Sequence, residues 1–364
     1  MINKRCFTRN WIETKQKDIK ADPILIEKAI FGFELLLGLV KSGINFVFKG
    51  GTSLMLLLPE VKRLSIDLDV ITEENDDTLV TVFNNITKGG VFKRWEEDKR
   101  IVAHEIPKHH FKFIYDSPME KRELYILLDI VQMNSPFPKA VEKTILHDFI
   151  EVEEEIKVKI PTVNGLTADK LTAFAPTTIG IPFGKDKSME IIKQLYDLGI
   201  LFEYINDLKE INSTYKKIAK AEASFRKLNL PVKDFLNDSI DASLLLCQLD
   251  FRGSIENDYT RELRDGIKKI KSHIIGGKYS ISDAKSDASK IACLASLIKD
   301  RRLEINIEKL RQKRSDISTI KNILLPEGFD ILNKLKTTSP ESFYFWAVST
   351  QQYSLSKQCK TSIN

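Results

Sequence analysis

Apolar and polar positions fall into two regimes along the chain. In residues 23–43, PILIEKAIFGFELLLGLVKSG, apolar residues recur at helical spacing, Pro23 suits a first turn and Gly43 suits a C-terminal cap. Residues 44–48, INFVF, form a short β-type run that ends at Gly50-Gly51. A short helix is predicted over 52–58, TSLMLLL, stopped by Pro59. The run 64–71, LSIDLDVI, alternates strictly, which is the strand period. Residues 73–88 return to the helical pattern, with Asn or Asp as N-cap and Gly89-Gly90 as the stop. Three β-like runs follow at 91–95, 110–115 and 123–132, and then a short mixed stretch at 139–150.

From about Gly165 onward the helical period dominates, most clearly over 186–205, 208–228, 255–274 and 283–304. There is no internal repeat and no low-complexity segment. The predicted fold is α+β: a mixed sheet flanked by helices over residues 1–160, then a mainly α-helical domain over 161–364.

Composition narrows the class. Of 364 residues 42% are hydrophobic and 29% charged, an ordinary globular balance. The opening MINKRCFTRN has no apolar h-region, and runs such as 35–40, LLLGLV, are too short to span a bilayer. Cys6, Cys247, Cys293 and Cys359 show neither metal-like nor redox-like spacing, so a reduced, cytoplasmic protein with no membrane partner is expected. The net charge of +5 is unevenly spread, with a balance of −3 up to residue 250 and +8 beyond it. A basic last part suits a polyanionic partner or, equally, a solvated helical surface. The string 301–314, RRLEINIEKLRQKR, reads as a basic helix open to the same two readings.

The candidate chemistry lies in residues 48–71. On a strand, Asp67 and Asp69 share one face while Ile66, Leu68 and Val70 share the other. Two carboxylates on adjacent same-face positions repel unless a cation sits between them, and oxygen-only donors suit Mg²⁺. Alone, the pair could line a solvated edge strand. Gly50-Gly51 sharpens the picture, because a strand–Gly-Gly–helix junction lets backbone N–H groups approach a phosphate, with Thr52 and Ser53 adding hydroxyls in the first turn. No P-loop pattern is present.

The segments 48–54, FKGGTSL, and 63–69, RLSIDLD, resemble the abortive-infection nucleotidyltransferase toxins of the AbiEii/AbiGii type, within the DNA polymerase β-like nucleotidyltransferases. The preceding IEKAIFGFELL resembles that family's lead-in helix. The resemblance implies a polymerase β-like domain with a third metal-binding carboxylate, best matched by Asp129 in LYILLDIVQ. It also implies a lysine and an aspartate on two helices after the sheet, matched in type and order by Lys170 and Asp197, with Lys185 and Lys187 as competing lysines. The bland alternative for Asp197 is a pairing with Lys193 one turn earlier. His104, His109 and His110 match no metal motif and read as surface residues.

The implied function is transfer of NMP from an NTP, helped by two Mg²⁺ ions at Asp67, Asp69 and Asp129. The nucleotide would lie against Gly50, Gly51, Thr52, Ser53, Arg63 and Ser65. The implied acceptor is a tRNA 3′ end held by the basic helical part, with growth arrest as the outcome and an antitoxin encoded nearby. A protein or small-molecule acceptor, or a non-catalytic binding module of the same fold, stays open at this point.

Overall fold

The computed structural model describes residues 1–98 and 108–353. The chain forms two compact units: Met1–Thr162 with Lys271–Lys278, and Val163–Ile270 with Tyr279–Asn364.

The first unit holds α1 (Arg9–Ile19), α2 (Pro23–Lys41), β1 (Phe46–Lys49), α3 (Gly50–Leu57), β2 (Leu68–Thr72), α4 (Asp76–Lys88), β3 (Arg94–Glu97), β4 (Lys108–Asp116), β5 (Glu123–Gln132), β6 (Ala140–Thr144) and β7 (Lys157–Pro161). Five strands make one mixed sheet in the order β1-β2-β5-β4-β3, and β6 and β7 pair separately. Within the large sheet β2 runs parallel to β5, and the other pairings are antiparallel.

Local chemistry sets these elements. Asp22 caps α2 by accepting from the N–H groups of Ile24 and Leu25, and Asn75 caps α4 by accepting from Thr78 N–H. The β-strand period then sorts the sheet into two faces. Leu68 and Val70 on β2 lie opposite Leu128 and Ile130 on β5, and all four are buried. At a hydrophobic gain of roughly 25 cal/mol per Å² buried, these positions fix which face turns inward. Helix α2 is buried along most of its length. Its two buried acids are satisfied: Glu27 accepts from Tyr115 Oη, Ser117 Oγ and Met119 N, and Glu34 accepts from Ile2 N.

The second unit is built from α5 (Val163–Ala173), α6 (Ser188–Leu201), α7 (Leu208–Phe225), α8 (Val232–Gln248), α9 (Asp258–Lys269), α10 (Ile281–Lys299), α11 (Ile307–Gln312), α12 (Leu335–Thr338) and α13 (Pro340–Ser349). No helix among the described residues is long and apolar enough to cross a membrane. Cys6, Cys247 and Cys293 are buried free thiols, and Cys359 lies outside the described residues.

Three expectations need correction. The alternating run at 64–71 becomes a ladder strand only from Leu68, because residues 62–64 pair elsewhere: Leu64 N–H donates to His273 O at 2.9 Å, Ile275 N–H donates to Lys62 O at 3.0 Å, and Arg63 bridges Ile274. The helix expected over 255–274 covers only Asp258–Lys269, since the segment Lys271–Lys278 joins the first unit. The basic string 301–314 is α-helical only over Ile307–Gln312, and three of its four arginines serve the fold. Arg302 donates to Val348 O, Arg311 donates to the carbonyls of Phe202 and Ile205, and Arg314 donates to both carboxylate oxygens of Glu203.

Candidate active site

A single row of register partners crosses the face opposite the buried Leu68 and Val70. Lys49 on β1 pairs with Asp69 on β2, Asp69 with Asp129 on β5, and Asp129 with His110 on β4. Side chains of register partners project to the same side of a sheet, so two cationic or basic groups flank two carboxylates. Asp67 stands just before β2 and is exposed. His110 Nδ1 lies 2.7 Å from Asp129 Oδ1, with the two side chains only 11% and 16% exposed.

Asp69 carries the electrostatic strain of this row. Its carboxyl is raised to about 6: burial pushes it up most, Lys49 pulls it down, Asp129 pushes it up, and Lys108 and Asp67 add a smaller pull and push. Burial dominates, and of the like charges Asp129 across the ladder outweighs Asp67, the partner in the D-x-D spacing.

The glycine pair is packed directly onto these acids. Gly50 turns the chain from β1 into α3 at φ +78°, a left-handed conformation that suits glycine. A Cβ there would overlap Asp69 Oδ2 and come within 2.8 Å of Asp69 Cγ. A Cβ on Gly51 would meet Arg63 Nη2 at 2.6 Å and Ser65 Oγ at 2.7 Å. Arg63 is 7% exposed, and its Nη1 also donates to Leu64 O. The start of α3 is therefore closely surrounded by Asp69, Arg63 and Ser65. No side chain caps this helix at its N-cap residue, Lys49, which leaves the backbone N–H groups of the first turn as its positive end.

The hydroxyls expected to face a phosphate are committed to the backbone. Thr52 Oγ1 donates to Asp67 O at 2.6 Å, and Ser53 Oγ donates to Gly50 O at 2.8 Å. Thr52 thus ties α3 to the D-x-D segment, and any anion contact from these residues falls to their N–H groups.

A hard divalent cation fits the donor types of this face, which are carboxylate oxygens, one of them raised by burial and by its acidic neighbours. Among the described residues, however, no group of three or more His, Cys, Asp or Glu side chains is gathered as a ready-made metal site. The like-charged acids repel each other, and Asp129 is drawn to His110.

In the second unit, Lys170 on α5 and Asp197 on α6 meet as a buried ion pair with Nζ to Oδ2 at 2.7 Å, the side chains 4% and 1% exposed. Lys170 also donates to Gln194 Oε1 at 3.3 Å. Asp197 thus takes part in a pairing between helices. Lys185 and Lys187 are exposed in the segment leading into α6.

Two residues escaped the sequence reading. His110, expected at the surface, is packed against Asp129 and is corrected to a member of the site. Lys49 reads in the sequence only as part of the FKGGTSL motif, whereas in the fold it is the register partner of Asp69 and lowers its carboxyl. His109 lies near Glu97, and His104 falls outside the described residues.

A mixed sheet carrying paired strand carboxylates beside a strand–Gly-Gly–helix turn matches the nucleotidyltransferase class. Residues 34–278, about two thirds of the chain, match the family model described as "Nucleotidyl transferase AbiEii toxin, Type IV TA system", and the chain belongs to that family. It is thus a nucleotidyltransferase toxin of a type IV toxin-antitoxin system. Curated proteins give no match. Among solved structures, JHP933 from Helicobacter pylori is 16% identical with a TM-score of 0.44, over 80% of this chain and 98% of that one. A second Helicobacter pylori protein, described as a nucleotidyltransferase, is 18% identical with a TM-score of 0.43, over 78% and 98%. An antigenic nucleotidyltransferase-like protein from Paracoccidioides brasiliensis is 11% identical with a TM-score of 0.32, over 54% and 91%. At these scores the three likenesses add no weight to the family match.

Proposed function

We propose that this toxin moves NMP from an NTP onto an RNA hydroxyl, with a tRNA 3′ end as the acceptor, in a reaction that needs a divalent metal. The observation that carries the reading is the Lys49–Asp69–Asp129–His110 row with Gly50 packed onto Asp69. Phosphoryl transfer asks little covalent chemistry of a protein and depends on positioning and charge stabilisation. Asp67, Asp69 and Asp129 would hold Mg²⁺, two ions by the family resemblance, which supplies activation of the acceptor hydroxyl and charge neutralisation on the triphosphate and departing pyrophosphate.

The remaining work falls to the chain. The first-turn N–H groups of Gly51, Thr52 and Ser53 would receive the phosphate oxygens at the positive end of α3. Gly50 keeps that turn close to Asp69, and Ser65 and Arg63 border it at Gly51. Arg63 would offset negative charge developing on the transferred group. The family resemblance gives Lys170 a charge-offsetting role, and its ion-pair partner in the second unit is Asp197. Lys49 would keep Asp69 ionised, and His110 would fix the orientation of Asp129. An antitoxin partner follows from the type IV system.

The test is incubation of the protein with each α-labelled NTP, Mg²⁺ and total RNA. Mg²⁺-dependent label on tRNA-sized RNA, lost in Asp69→Asn, is expected. Label that survives RNase and runs with protein or small molecules would move the acceptor away from RNA.

A further inference from the structure

The second unit contains a concavity of about 390 Å³ at the start of α8, beside α7 and the end of α10. Its lining includes five cations: Lys216, Lys220, Lys233, Lys299 and Arg301. No acidic residue lines it. Lys216 and Lys220 are one turn apart on α7, with Asn212 one turn earlier, so all three lie on the same helix face. Lys233 sits in the first turn of α8, whose N-cap residue Pro231 provides no side-chain cap. Lys299 is in the last turn of α10, and Arg301 follows in a left-handed conformation at φ 56°.

What sets these five apart is that they gather around one concavity that no acid lines. Lys209, Arg226, Arg261, Arg264, Lys269, Lys290 and Arg314 each pair with Asp or Glu. Among the described residues none of the five lining cations does so. Asp241, which is not among the lining residues, lies in the field of Lys299 and offsets part of its charge. Like charges gathered around a low-dielectric concavity focus its field and attract counter-anions. The rest of the lining is aliphatic or proline apart from Asn212, with no aromatic ring on which a base could stack.

We propose that this concavity is a binding site for RNA backbone phosphates, which it grips without reading bases. It deepens the RNA-acceptor reading and rests on it: the site would hold the body of the acceptor. Cations with no stacking surface predict affinity that depends steeply on salt and little on sequence. They also predict no preference for a free nucleotide, whose base would find nothing to stack on.

The experiment measures binding of fluorescent tRNA, and of an unrelated RNA of equal length, by anisotropy across a salt series. It uses the full chain with Asp69→Asn as background, so binding is read without turnover. The variant is Lys216→Gln/Lys220→Gln/Lys233→Gln, three side chains with no hydrogen bond or ion pair among the described residues. Wild type should bind both RNAs with similar affinity. The variant should bind both at least about 10-fold more weakly at 150 mM salt, with the salt slope reduced by about 1 per lysine removed. ATP in millimolar excess should leave tRNA bound. Unchanged affinity and slope in the variant would overturn the proposal, as would displacement of tRNA by ATP in wild type but not in the variant. A weaker-binding variant combined with no label transfer to any RNA would leave this site standing and remove the acceptor reading instead.

Discussion

Gly50→Ala isolates the contact on which the proposed site depends. Two costs act at this position. The first is conformational: a residue with a Cβ at φ +78° pays about 1–2 kcal/mol for the left-handed region. The second is steric, since the new Cβ overlaps Asp69 Oδ2 and real Cβ atoms essentially never come within 3.0 Å of another heavy atom. The Asp69 carboxyl must then move by an amount on the order of 1 Å, and a misplacement of that size at a reacting centre costs about 100-fold in rate. Gly43→Ala supplies the control, because Gly43 has φ +79° with nothing within 4 Å of its Cβ position. The assay pairs urea unfolding with NTP turnover for both variants. Both should lose about 1–2 kcal/mol from the shared backbone cost. Only Gly50→Ala should lose turnover, by about two orders of magnitude. A folded Gly50→Ala protein with wild-type turnover would refute the argument that the glycine turn and Asp69 form one unit.

Three further outcomes follow from the geometry. His110→Ala should leave the chain folded but weaken apparent Mg²⁺ affinity by about 10- to 100-fold, as loss of a partner that orients a ligand does, read by Mg²⁺ titration of turnover. Lys170→Met strands Asp197 as a buried charge and should destabilise the protein by about 3–5 kcal/mol in urea unfolding, with Lys170→Met/Asp197→Leu recovering most of it. Asp287 gives a pH signature: burial pushes its carboxyl up to about 7, despite pulls from Lys290 and the Tyr279 hydroxyl. The folded state then binds more protons than the unfolded one between the ordinary carboxylate range and about 7. Stability should therefore fall as pH rises through that window, by no more than about 4 kcal/mol. Asp287→Asn should flatten that part of the profile in urea unfolding followed from pH 4 to 8.

The legible part of the site was local in sequence. Gly50-Gly51 and the D-x-D spacing are visible because a left-handed turn and a strand face each demand particular residues within a few positions. Asp129 stood out as a lone acid in an apolar β run, and the structure makes it the register partner of Asp69. What stayed hidden depended on distant partners. His110 became a site residue only through its register with Asp129 across β4 and β5. The true start of β2 depended on residues 62–64 pairing with 273–275, some two hundred positions later. Arg311 and Arg314 looked available for a polyanion, but the carbonyls of Phe202 and Ile205 and the carboxylate of Glu203 use them. The short strand β7, KVKIP, alternates but is too brief to stand out, and β6 secures it only in the fold. Four of the five cations around the start of α8 lie on three helices and Arg301 lies two residues past the last, so no sequence window gathers them.

The central claim is that the carboxylates on β2 and β5 make this family member an active transferase toward RNA. The most direct measurement is Mg²⁺-dependent transfer of α-labelled NMP to purified tRNA by wild type, Asp69→Asn and Asp129→Asn, each shown folded by circular dichroism. Labelled tRNA with wild type and loss of label by at least about 1000-fold in both variants is the predicted result. Equal labelling by all three proteins would contradict it.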